Sequence, residues 1–97
     1  MKVRYRALAL ADLDHIFSYI SDRNPMAAED VTKAIYAAIE FIGEHPLGAP
    51  PTSDPAIQIK VVRKYGYKIF YTVEADAVEI LHVRDGVRRP WTVERRR

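Results

Sequence analysis

The chain of 97 residues contains no cysteine, and this absence excludes disulfide bonds and metal sites built on thiolates. A reducing, cytoplasmic environment is therefore the expected setting. The chain also has no apolar run whose length approaches the roughly 20 residues that a membrane-spanning helix needs. Its first residues alternate between polar and apolar side chains, unlike the apolar core of a signal peptide. These absences together predict a cytoplasmic protein that does not associate with membranes.

Motifs that bind nucleotides or activate a serine nucleophile are also missing from the sequence. None of the patterns GxGxxG, GxxxxGK[ST] and GxSxG occurs. The histidines, His15, His45 and His82, are scattered along the chain, without the spacing or the carboxylate cluster typical of a metal site. We therefore expect no cofactor and no metal ion.

The composition is typical of a globular protein, and its size predicts one domain over residues 1–97. Hydrophobic residues make up 48% of the chain and charged residues 29%. Residues 1–56 hold five Lys or Arg and eight Asp or Glu, whereas residues 57–97 hold ten and five. This asymmetry indicates a basic surface in the later part of the chain. Three of its cations belong to residues 92–97, which we expect to form a flexible basic tail.

The spacing of apolar residues predicts a short strand followed by two helices. Residues 3–5 alternate like a strand, and residues 7–21 and 25–42 carry apolar residues at helical spacing. Asn24 and Pro25 are typical of the cap and first turn of a helix, so the two helices should form an antiparallel hairpin. The apolar stripe expected to face the core in the first helix comprises Leu10, Leu13, Ile16, Phe17 and Ile20.

Three strand-like segments, at residues 57–64, 67–74 and 77–84, follow a loop that is rich in proline. Turns of two residues separate them, so they should run antiparallel. Gly43 is expected in the left-handed conformation at the end of the second helix. The predicted fold is α+β, with the order β-α-α-β-β-β and the helical hairpin packed on one face of a small, mainly antiparallel twisted sheet. The opposite face is expected to show Val62, Phe70 and Leu81.

The basic residues of the later strands are candidates for contact with an anionic partner. A folded sheet would bring them within its own breadth, where they could clamp phosphates or dock an acidic peptide. Alternatively, cations such as Arg63 and Lys68 pair with carboxylates of the same sheet, and Trp91 packs its segment against the core. The candidate binding residues are Lys60, Arg63, Lys64, Lys68, Arg84, Arg88, Arg89 and Trp91.

Histidine is the residue type whose ordinary charge change falls near neutral pH, so His82 in this basic region is a candidate acid or base. Its alternation with Ile80 favours instead a half-buried structural role.

Five segments, in a fixed order along the chain, carry a resemblance to a known family. They are Ala11-Asp12-Leu13-Asp14-His15-Ile16, Pro25-Met26-Ala27-Ala28, Glu44-His45-Pro46-Leu47-Gly48, Arg63 with Tyr67-Lys68-Ile69-Phe70-Tyr71, and Glu79-Ile80-Leu81-His82-Val83. Together they resemble the RelE/ParE superfamily, the toxins of type II toxin–antitoxin systems, over nearly the whole chain. The resemblance implies a growth-inhibiting toxin with a helical hairpin on a twisted sheet. It also implies a cognate antitoxin whose acidic segment wraps the toxin, and we expect this extended segment to cover the sheet face opposite the helices and to pair with its cations.

The resemblance leaves two possible targets. RelE-like members cleave mRNA on the ribosome with a basic cluster and a late Tyr or His, whereas ParE-like members poison DNA gyrase. Lys68 stands where RelE-like ribonucleases usually have arginine, and Trp91 can act neither as acid nor as base. We therefore expect a ParE-like gyrase poison and not an enzyme. The alternative is a metal-independent endoribonuclease whose candidate catalytic residues are Lys68, His82, Arg88 and Arg89.

Overall fold

The computed structural model describes residues 1–48 and 53–85. Its elements follow the predicted order, and the predicted α+β class is confirmed. The expected tail at residues 92–97 lies outside the described residues. The elements are β1 (Lys2–Tyr5), α1 (Ala7–Ser21), α2 (Pro25–Glu44), β2 (Gln58–Val62), β3 (Tyr67–Val73) and β4 (Ala77–Asp85).

The four strands form one sheet in the order β1-β4-β3-β2. β1 runs parallel to β4, with Lys2 opposite Ala77, and the other neighbours are antiparallel. The register of β3 and β4 shifts by one residue, which leaves Leu81 as an extra residue in β4. This bulge allows both Ile80 and Val83 to face the helices, where they are buried.

The second helix begins as predicted but ends later. The Asn24 side chain accepts a hydrogen bond from the Ala27 amide over 3.1 Å, which caps α2. The expectation of a left-handed Gly43 is wrong, because α2 continues through Gly43 to Glu44. A Cβ at this position would lie 3.1 Å from Val3 Cγ2. The glycine therefore permits close packing of α2 on β1.

The core lies between the helical hairpin and one face of the sheet. Tyr71 of β3 is fully buried at its centre, and its hydroxyl donates a hydrogen bond of 2.9 Å to the Pro46 carbonyl in the loop after α2. Burial raises the pKa of this hydroxyl above its ordinary value. The other fully buried large side chains are Val31, Ile35, Ile42, Ile69, Val78 and Ile80.

The other face of the sheet, which we call the open face, carries no helix among the described elements. The expectation that Val62 lies there is wrong, because Val62 is buried opposite Tyr67 on the side of the helices. Its neighbour Val61 lies on the open face and is 43% exposed. Both residues are apolar, so the pattern within β2 could not decide which of them is buried. The open face includes Arg4, Ile59, Val61, Lys68, Phe70, Thr72, Glu79, His82 and Arg84.

Candidate interaction surfaces

One end of the open face is a cluster of positive side chains. Lys68 of β3 and Arg84 of β4 lie directly opposite each other in the sheet. Arg63 and Lys64 lie at the same end, in the turn between β2 and β3, which Gly66 closes with a φ of 76°. Within residues 1–48 and 53–85, none of these four cations takes part in an ion pair. We call Arg63, Lys64, Lys68 and Arg84 the basic end.

Lys60 does not belong to the basic end, although the sequence grouped it with these cations. It pairs with the buried Ile69 and therefore lies on the side of the helices. Its Nζ is 4.2 Å from the centroid of the Phe41 ring, which itself lies 4.6 Å from the ring of His45. The side chain of Lys60 thus covers the end of α2, and its charge interacts with an aromatic face.

The far end of the sheet, beside β1, is different because its carboxylates lie beside cations or a hydroxyl, although Lys2 there takes part in no ion pair within the described residues. Two carboxylates form ion pairs with arginines, one in β1 and one just before α1. A third carboxylate accepts a hydrogen bond from a threonine hydroxyl. The sequence allowed Arg63 or Lys68 to pair with Glu74, Glu79 or Asp85, and none of these ion pairs forms in the part of the chain that the structure describes. The pairs are Arg6 with Glu79 at 3.3 Å, Arg4 with Asp76 at 3.7 Å, and Thr72 with Glu74 at 3.1 Å.

His82 connects the open face to α1. The carboxylate of Asp12 accepts a hydrogen bond of 3.0 Å from the Val83 amide, beyond the point where β1 stops pairing with β4. The same oxygen lies 3.4 Å from Nδ1 of His82. The His82 ring meets the Phe70 ring edge to face, with the centroids 6.3 Å apart. These contacts fix the orientation of the imidazole.

A second surface lies on the outer side of the helical hairpin. A groove of about 270 Å³ runs between α1 and α2, and Leu10, Phe17 and Tyr36 on its walls are 53%, 46% and 46% exposed. The sequence had assigned Leu10 and Phe17 to the core. Their spacing could have indicated this shared exposure, because residues seven apart in a helix lie on the same side, as Leu10 and Phe17 do on α1. The core instead takes Ala9, Leu13, Ile16 and Ile20.

Sequence comparison assigns the chain to a family. Residues 3–90 match the family described as "ParE toxin of type II toxin-antitoxin system, parDE". The chain belongs to the ParE toxin family. A solved structure titled "Chromosomal ParDE TA system from P. aeruginosa" is similar to this ParE-family toxin, with a TM-score of 0.77 and 20% identity. The match covers 91% of this chain and 97% of the other. No curated protein matches the sequence.

Membership of the ParE family confirms the resemblance stated from the sequence and identifies a toxin of a type II toxin–antitoxin system. The family implies an antitoxin as its partner. Three of the residues proposed for binding, Arg88, Arg89 and Trp91, lie outside the described residues. In the described part of this ParE-family toxin, no three His, Asp or Glu side chains form a group that could hold a metal ion. No helix there is long and apolar enough to cross a membrane.

Replacing Asp12 of the ParE-family toxin with alanine should lower its free energy of unfolding by about 1–3 kcal/mol, since the partly buried Val83 amide loses its acceptor. Asp12→Asn keeps an acceptor oxygen and should cost less. Urea denaturation measures both changes. Asp14→Ala is the matched control, because Asp14 is exposed on the same helix and its loss should stay within about 0.5 kcal/mol. Equal losses for Asp12→Ala and Asp14→Ala would contradict the role given to Asp12.

Proposed function

We propose that this ParE-family toxin inhibits growth by acting on DNA gyrase, and that its cognate antitoxin neutralises it. The family match over residues 3–90 carries the proposal.

The second candidate is a metal-independent endoribonuclease acting on mRNA at the ribosome. It is supported by the position of His82 on the same open face as Lys68 and Arg84, since two cations beside an imidazole could stabilise a phosphorane-like transition state. Arg88 and Arg89 would have to join this set.

Purified toxin added to gyrase, ATP and supercoiled plasmid is expected to accumulate DNA cleaved by gyrase, visible as linear plasmid after treatment with detergent and protease. Preincubation with equimolar antitoxin should abolish the linear product, because toxin that is bound to antitoxin is neutralised. Primer extension on total mRNA after induction of the toxin should show no new cut sites. Discrete mRNA cuts together with an unaffected gyrase would contradict the proposal and support the ribonuclease.

We further propose that the antitoxin covers the groove between α1 and α2. Apolar side chains that are half exposed on a concave surface are the anchors that a partner helix usually buries. The described part of the sheet offers less of such surface: Val61 is the large apolar side chain exposed there, whereas Phe70 and Ile59 are half-buried. The apolar side chains exposed on the helices are Leu8, Leu10, Phe17, Met26, Tyr36 and Phe41.

A further inference from the structure

We propose that the basic end of the open face binds the phosphate backbone of DNA while the toxin is bound to the gyrase–DNA complex. This inference rests on gyrase being the target. It adds that the toxin contacts the nucleic acid and not the enzyme alone, and it names Lys68 and Arg84 as the central contacts.

The first argument is the unbalanced charge of Lys68 and Arg84. Side chains directly opposite each other on antiparallel strands have Cβ atoms about 5 Å apart, and like charges at this distance destabilise the sheet. The far end of the same sheet shows how this chain neutralises two of its cations, with Glu79 beside Arg6 and Asp76 beside Arg4. At the basic end no carboxylate of the described residues does so. An anion from outside would supply the missing charge.

The second argument is the position of the basic end. Arg63 and Lys64 are exposed in the turn where β2 passes into β3, and Arg84 is exposed near the end of β4. The four cations of the basic end therefore lie together at one end of the sheet, where an extended polyanion can reach them from the open face. Each DNA strand carries a charge about every 3.4 Å along the axis, so closely spaced cations can meet neighbouring phosphates.

The third argument separates DNA from an acidic peptide. A peptide gains most of its affinity from apolar anchors buried in pockets. The exposed anchors of this toxin lie in the helical groove around Leu10, Phe17 and Tyr36, whereas Val61 is the exposed large apolar side chain next to Lys68. A surface of cations with little exposed apolar area suits a phosphate backbone, which is bound through charge. In the proposed target complex, that backbone is DNA.

The test uses two double variants that remove the same charges from different surfaces. Lys68→Gln/Arg84→Gln removes one lysine and one arginine from the basic end, and Arg23→Gln/Lys33→Gln removes one of each from the helical hairpin, Arg23 from the turn between α1 and α2 and Lys33 from α2. Fluorescently labelled full-length toxin is titrated with gyrase alone and with gyrase bound to a DNA duplex, at several KCl concentrations. Antitoxin affinity is measured for each variant in parallel.

Wild-type toxin and Arg23→Gln/Lys33→Gln are expected to bind gyrase–DNA more tightly than gyrase alone. Their affinity for gyrase–DNA should fall as the KCl concentration rises. Each lost phosphate contact lowers the log–log salt slope by about 0.9, so Lys68→Gln/Arg84→Gln should lower it by about 2 and keep full antitoxin affinity. A slope equal to the wild-type slope overturns the inference, as does a loss confined to antitoxin binding. Wild-type binding to gyrase that is indifferent to DNA also overturns it and leaves the proposed function standing. Wild-type toxin that binds neither gyrase nor gyrase–DNA overturns both.

Discussion

Replacing Tyr71 with alanine is expected to lower the free energy of unfolding by about 3–5 kcal/mol, the range for truncating a large aromatic side chain in a core. Tyr71 is fully buried among the other core residues. Its hydroxyl also links β3 to the loop after α2 through the hydrogen bond to the Pro46 carbonyl. Domains of this size are stable by only about 5–15 kcal/mol, so the variant should unfold at much lower urea concentration. The measurement is urea denaturation followed by circular dichroism.

Two further substitutions separate the causes of this loss. Tyr71→Phe keeps the ring and removes only the hydrogen bond to Pro46, so it should cost about 0.5–1.5 kcal/mol. Tyr36→Ala removes a tyrosine that is 46% exposed and should cost clearly less than Tyr71→Ala. A loss below about 1 kcal/mol for Tyr71→Ala would contradict the central position of this side chain.

The raised pKa of Tyr71 predicts that the free energy of unfolding depends on pH in the alkaline range, and that Tyr71→Phe weakens this dependence. Burial disfavours the phenolate in the folded protein, so the unfolded chain loses its proton first as the pH rises. Stability is therefore complete below the ordinary tyrosine pKa of about 10 and declines above it. Tyr71→Phe should show a smaller decline. Part of the decline should persist, because burial and the neighbouring Tyr36 also raise the pKa of Tyr5.

The double variant Leu10→Ser/Phe17→Ser is expected to bind the antitoxin about 100-fold more weakly and to remain folded. A fully buried side chain of this kind is worth about 1.5–3 kcal/mol. Both side chains are already about half buried in the free toxin, so each should contribute about 1–1.5 kcal/mol, or roughly tenfold in affinity. Isothermal titration calorimetry with purified antitoxin measures the change.

Leu8→Ser/Met26→Ser is the matched control for the groove. Both residues are exposed on the helices, and neither lines the groove between α1 and α2. Their replacement should change antitoxin affinity by less than about threefold. Similar losses of affinity for the two double variants would show that the antitoxin binds exposed apolar side chains on the helices without preference for the groove. Unchanged binding of Leu10→Ser/Phe17→Ser would show that the groove is not part of the interface.

Local sequence signals predicted the elements of the fold well, because each signal acts over a few residues. The Asn24 cap is set by its own side chain and the amide three residues on. Gly43 shows where such signals fail. A glycine near a helix end normally permits a left-handed residue, but here the constraint comes from Val3, forty residues earlier in the chain. Only the packing of α2 on β1 reveals it.

The surfaces were harder to predict than the elements, since they depend on which side of each element is covered. α1 has more apolar side chains than its core side can bury, and the sequence could not say that Phe17 would be left outside. Lys68 and Arg84 were expected near each other because their strands are neighbours, but their direct opposition depends on the bulge at Leu81, which the sequence pattern did not predict. Lys60 was assigned to the wrong side, because an edge strand covered by only part of α2 tolerates a lysine facing inward.

The parallel pairing of β1 with β4 means that the sheet cannot be completed until β4 has been synthesised. β4 is the only described strand that touches both β1 and β3, and it is the last described element to leave the ribosome. A shortened chain without it leaves Lys2–Tyr5 with no neighbour and exposes one side of β3. The first strand of this toxin therefore has no partner in the sheet until the residues of β4 have been made.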